Sequence, residues 1–164
     1  MLRPAVAAPA PGADLRVIGI DHVGMNVPDA DEAVIFFHEL LGTRVVVDVH
    51  PGQPGTDWKR RFSWRESSRI VRLVMLQMPT GDRLELFQYA GPDIDHRRPR
   101  EDDASATHIA FRVTDIDAGL AVVRRHGLRV LCDPVTNADG TRWFYFLTPW
   151  NAQLELVVPP IHHP

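Results

Sequence analysis

An imidazole and a carboxylate recur at matched places in this 164-residue chain. "DHVGMNVPDADEAVIFFHELLGTRVV" carries His22, and "THIAFRVTDIDAGLAVVRRHGLRVL" carries His108 at the same place. Val27 then falls on Val113, Asp29 on Asp115, Asp31 on Asp117 and, after a one-residue gap, Gly42 on Gly127. The closing segments "MPTGDRLELF" and "TPWNAQLELV" also match and put Glu85 on Glu155, each between two leucines. Two imidazoles and two carboxylates suit a divalent cation. Left unbound, crowded carboxylates repel until one takes up a proton, whereas a cation neutralises both and satisfies the imidazole lone pairs.

Strand and helix periodicity decide whether these side chains can meet. Successive strand residues face opposite sides, so Val23, Met25 and Val27 form a core face while His22, Gly24 and Asn26 turn away. Ile109, Phe111 and Val113 repeat that core face and leave His108, Ala110 and Arg112 opposite; Leu84, Leu86, Leu154 and Leu156 likewise leave Arg83, Glu85, Gln153 and Glu155. Helices are predicted after Asp29 (Val34, Phe37, Leu41) and after Asp115 (Leu120, Val123), each ending at a glycine suited to the C′ position. Strands are expected over 43–48, 70–77 and 83–89 in the first copy, and over 129–132, 141–147 and 153–158 in the second. The result is an α+β chain of two βαβββ modules, which can bury each other's sheets. Twist gives such a sheet a concave side on which the two His–Glu sets converge.

The expected organisation is an Ala/Pro arm at 1–14, one domain at 15–158 and a tail at 159–164. Within the domain, module 1 covers 15–90, a charged linker 91–104 and module 2 105–158. "HPGQPGTDWKRRFSWRESSR" is an insertion of module 1 that reads as a loop, with Trp58, Lys59, Arg60, Arg61, Phe62, Trp64 and Arg65 available to cover a pocket. A net charge of -3 and no clustered basic face argue against nucleic acid. No apolar run reaches membrane-spanning length, and the N-terminus lacks the apolar centre of a secretory signal. Cys132 is the only cysteine, which fits a reducing cytoplasm and excludes a Cys-based zinc site.

On these residues the chain resembles the vicinal oxygen chelate superfamily, which includes glyoxalase I, methylmalonyl-CoA epimerase, extradiol dioxygenases and bleomycin-resistance proteins. The likeness runs from Val17 to Val158. It implies a cup-shaped mixed sheet around one divalent metal ion, with ligands from the first and last strand of each module: His22, Glu85, His108 and Glu155. "RLELFQYAGPD" and "RWFYFLTPWNAQLELVV" are most similar to small bacterial glyoxalase-like members and cyclitol (valiolone-type) epimerases. The donor set suits Zn, Ni, Co, Mn or Fe. The implied activity is that of an isomerase, epimerase or lyase acting through an enolate or enediolate of a small substrate with neighbouring oxygens. Glu155, then Glu85, is the candidate base, and Asn26, Arg112 and Gln153 share the face that orients substrate. A homodimer is also implied, with modules pairing within a chain or swapping between chains.

Two other readings remain. An extradiol-type dioxygenase holds Fe(II) by two histidines and one carboxylate, and Glu85 fills the corner it would leave open. A non-catalytic binder of drugs or metabolites generally lacks the ligand set retained here. "PGQPGT" has no following Lys-Ser/Thr and is not a phosphate loop; "HELLG" lacks the second histidine of a helical zinc site. His38, His50, His96 and His126 are expected at the surface, His162 and His163 in the tail, and Cys132 as a small strand hydrophobe.

Overall fold

Asp29 and Asp115 start their helices by the means their position suggests. In the computed structural model, which describes residues 17–160, the Asp29 carboxylate accepts the backbone N–H of Glu32 at 3.0 Å. That of Asp115 accepts those of Asp117 and Ala118 at 2.9 and 3.0 Å. Each satisfies donors that the first turn leaves orphaned. Gly42 and Gly127, at φ 67 and 69, supply the left-handed residue that ends each helix. The arm at 1–14 and the tail histidines His162 and His163 lie outside the described residues.

The chain divides into two compact units that meet after Asp95, and each by itself is a βαβββ module. Unit 1 runs β1 (Val23–Val27), α1 (Ala30–Leu41), β2 (Arg44–Val49), α2 (Thr56–Arg61), β3 (Arg69–Gln77) and β4 (Arg83–Ala90). Its sheet order is β1-β4-β3-β2, with β1 parallel to β4 and the other pairs antiparallel. Unit 2 runs β5 (Ile109–Arg112), α3 (Ile116–Arg125), β6 (Val135–Thr136), β7 (Arg142–Leu147) and β8 (Gln153–Val158). Its order, β5-β8-β7-β6, repeats the first with the same parallel first pair. No described helix is long and apolar enough to cross a membrane.

Helices α1 and α3 each cover one face of their own sheet. Ala33, Phe36 and Phe37 of α1 are buried with Val74, Leu76, Leu84 and Leu86. Ile116, Leu120 and Val123 of α3 are buried with Phe144, Phe146, Leu154 and Leu156. A fully buried side chain of this size contributes roughly 1.5–3 kcal/mol, so these faces hold the modules together. At Gly119 a Cβ would stand 2.7 Å from Leu156 Cδ1; glycine lets α3 lie close on β8.

Three expectations need correction. The strand expected over 129–132 is a single bridge between Val130 and Phe146, and the edge strand is the two-residue β6 beyond it. Pro134, which has no N–H to donate, stands between the two. The insertion is not all loop, since its middle forms α2, with Asp57 in the first turn and Lys59, Arg60 and Arg61 in the last, charges that favour the helix macrodipole. His22 and His108 sit one residue ahead of β1 and β5, because the parallel ladders begin at Val23–Leu84 and Ile109–Leu154.

Candidate functional site

The sheet register brings each histidine to its glutamate. Gly24 lies beside Glu85 in the β1–β4 ladder and Ala110 beside Glu155 in the β5–β8 ladder. His22 and His108 stand two residues earlier, hence on the same face. His22 Nε2 is 3.1 Å from Glu85 Oε2, and His108 Nε2 is 3.0 Å from Glu155 Oε2. Side-chain exposure also repeats, at 36% and 16% for the first pair and 36% and 13% for the second. Among the described residues the grouping stops at pairs, for no three of His, Cys, Asp and Glu stand together as a metal-binding group.

The groups around the two pairs differ. His22 Nδ1 is 2.7 Å from Asp21 Oδ1, and Arg83 donates to the other oxygen of that carboxylate. The bond to His22, reinforced by Arg83, holds the Asp21 carboxyl below its ordinary value. His108 instead meets the ring of Tyr145 edge-on, with centroids 5.0 Å apart. Tyr145 pairs with Glu155 across β7–β8 and stacks at a tilt with Trp143. Burial, with the charges of Glu155, Glu101 and Cys132, raises its phenol, which therefore stays a neutral donor near neutral pH. Gln153 is buried, and its Oε1 accepts from Arg98, which also pairs with Glu101 at 3.4 Å. Its amide nitrogen makes no hydrogen bond among the described residues.

The donor set of module 1 fits a cation. A neutral imidazole has one N–H, so His22 can donate to Asp21 or to Glu85 but not to both. With the proton on Nδ1, the Nε2 lone pair confronts a carboxylate at 3.1 Å, which a shared positive ion makes favourable. Two donors each about 2.1 Å from one ion stand about 3 Å apart when they subtend a right angle.

Asn26 and Arg112 lie on the glutamate-bearing faces and are exposed. On β4, Phe87 and Tyr89 continue the Glu85 face, their rings stacked at 6.0 Å, and Trp64 of the insertion meets Tyr89 edge-on at 4.9 Å. Burial and the nearby Glu85 raise the Tyr89 phenol. Two of the insertion's cations have local partners: Lys59 donates to the Glu66 carbonyl and Arg60 pairs with Asp57. His38 is structural, its Nδ1 lying 2.7 Å from the Thr43 carbonyl oxygen, and His126 closes α3. Cys132 is half-buried and free. Sequence reasoning did not single out Asp21, Arg98 or Tyr145. Adjacency to His22 could have flagged the first, and alternation along β7 with Trp143 the last.

The profile described as the glyoxalase/bleomycin resistance protein/dioxygenase superfamily matches residues 21–146. The chain belongs to this superfamily. It is 39% identical over 159 residues to a 2-epi-5-epi-valiolone epimerase of Actinomyces sp., covering 94% of this chain and 84% of the relative. The uncharacterised protein YwkD of Bacillus subtilis is 26% identical over 140 residues, covering 84% and 94%. Among solved structures, a glyoxalase family protein of Bacillus cereus aligns at TM-score 0.69 and 23% identity, over 90% of this chain and 98% of its own. The fosfomycin resistance protein FosX of Listeria monocytogenes, complexed with Mn(II) and sulfate, aligns at TM-score 0.57 and 14% identity, over 88% and 95%. At these identities the solved structures show the shared fold.

Proposed function

We propose that the protein is a metal-dependent epimerase of a cyclic polyol ketone of the 2-epi-5-epi-valiolone type. The observation that carries this is the 39% identity to such an epimerase across 94% of the chain, together with a His–Glu pair in each module. His22 with Glu85, and His108 with Glu155, are the residues that would hold divalent metal, which when bound would supply positive charge where negative charge develops on the substrate oxygens, worth several kcal/mol in the transition state.

Epimerisation inverts a carbon next to the ketone, so a proton leaves one face and a proton is added to the other. Glu155 takes the first: Tyr145, directly across the β7–β8 ladder from it, is a neutral phenol placed to donate to the substrate oxygen, where the matching partner of Glu85 is Met75. Glu85, protonated at the start of the turnover, gives a different proton to the other face, and exchange with solvent restores both carboxyls. The Gln153 amide nitrogen and Arg112 orient the hydroxyls, with Asn26 doing so on the module 1 face. A homodimer belongs to the same proposal, and sedimentation velocity checks it.

The test is metal analysis of the purified protein followed by incubation with 2-epi-5-epi-valiolone in D2O. Loss of the hydrogen next to the ketone, abolished by a chelator and restored by added metal, is expected. Exchange that survives chelation would rule out metal dependence. Oxygen uptake with catechols would favour the dioxygenase reading, and tight binding without exchange the non-catalytic one.

A further inference from the structure

We propose that Asp21 is a positioning residue: held by Arg83, it fixes the His22 ring with the proton on Nδ1 and the Nε2 lone pair turned to Glu85. The geometry is a chain of three groups. Arg83 donates to Asp21 Oδ2 and, from Nε, to the Asp21 carbonyl at 3.3 Å; Asp21 Oδ1 lies 2.7 Å from His22 Nδ1; and His22 Nε2 lies 3.1 Å from Glu85. Arg83 stands two residues before Glu85 on β4, so one strand carries both the carboxylate that faces Nε2 and the cation that aims the carboxylate at Nδ1.

Stability does not account for this arrangement. The Asp21 side chain is 68% exposed, and an exposed ion pair stabilises a fold by roughly 0–1 kcal/mol. Its distinctive effect is on the ring. Of the two carboxylates competing for the single imidazole proton, Asp21 is the one already oriented by a guanidinium. Module 2 has Thr107 and Gln153 at the matching positions and cannot build the chain. The consequence for metal binding rests on the proposed function: a carboxylate behind a ligand histidine sets its tautomer and raises its basicity.

The direct test is the His22 ring tautomer, read by long-range 1H–15N correlation in the metal-free full-length protein at a pH where imidazoles are neutral. Wild type is expected in the Nδ1–H form. Asp21→Ala moves the proton to Nε2, and Asp21→Asn, which keeps an acceptor oxygen, restores the Nδ1–H form in part. An unchanged tautomer in Asp21→Ala would overturn the proposal. In a second measurement, Co(II) is titrated against a chromophoric chelator. Asp21→Ala is expected to bind about tenfold more weakly, at the low end of the effect of such outer partners, and Thr107→Ala as wild type. Equal affinity of wild type and Asp21→Ala would also overturn it. A wild-type protein that ignores Co(II) would sink the metal reading and leave the tautomer to decide the role of Asp21.

Discussion

In module 1 the residue before the histidine is Asp21, the residue two before the glutamate is Arg83, and the residue across from the glutamate is Met75. In module 2 the same three positions hold Thr107, Gln153 and Tyr145. The His–Glu separations nevertheless agree, at 3.1 and 3.0 Å. The pair is fixed by strand register, which both modules share, while its neighbours change one residue at a time without moving it. Module 1 uses its neighbours to aim an imidazole. Among its described residues module 2 keeps a donor uncommitted, the buried Gln153 amide nitrogen, whose missing acceptor would cost about 1–3 kcal/mol unless a ligand supplied one.

The sharpest way to break this comparison is to remove each carboxylate's basicity in turn. Glu155→Gln is expected to lower kcat for epimerisation about 1,000-fold, within the range of a lost general base, and Glu85→Gln by clearly less. If Glu85→Gln proves the more damaging, the base belongs to module 1. Next in size is Tyr145→Phe, expected to cost about tenfold in kcat with Co(II) affinity unchanged, the effect of one hydrogen-bond donor; Met75→Leu at the matching place should be neutral. Smaller again is Gln153→Met, which removes the uncommitted donor and should raise KM about fivefold while leaving kcat alone. A fall in kcat at constant KM would mean that Gln153 acts on the transition state.

How far these features can be read from sequence follows from how local they are. The His–Glu pairs are legible because strand alternation fixes the face and the internal repeat fixes the partner; β8 and both helix starts are legible because Leu-Glu-Leu alternation and capping aspartates are local signals. β6 is not, because the well-patterned residues 129–132 meet β7 only around the bridge at Val130, and the ladder resumes beyond Pro134 at Val135 and Thr136. The Asp21–Arg83 contact spans 62 residues and exists only once β1 and β4 are in register. The placement of Tyr145 against Glu155 depends on the β7–β8 turn, where Asn151 adopts φ 67, and not on any motif around the tyrosine.

The smallest expected effect concerns what the modules share away from their histidines. Arg72 on β3 and Arg142 on β7 occupy the same place in the repeat, and each grips the acid in the first turn of its helix, Asp31 and Asp117. Arg72 also takes both oxygens of Asp48 on β2, whereas both terminal nitrogens of Arg142 go to Asp117. Hydrogen bonding to these arginines holds Asp48 and Asp117 below their ordinary values. A carboxyl depressed in the folded state stabilises the fold above its unfolded pKa, and that contribution fades as pH falls through the folded value. Arg72→Met should therefore lower stability at neutral pH by about 1 kcal/mol, and Arg142→Met by less, as read from thermal melts. Both gaps to wild type should begin to narrow below about pH 4 and close once pH has fallen through the depressed values of the folded carboxyls, and both should shrink in 1 M salt. A gap for Arg72→Met that persists in acid would mean that the arginine acts through the packing of its stem rather than its charge.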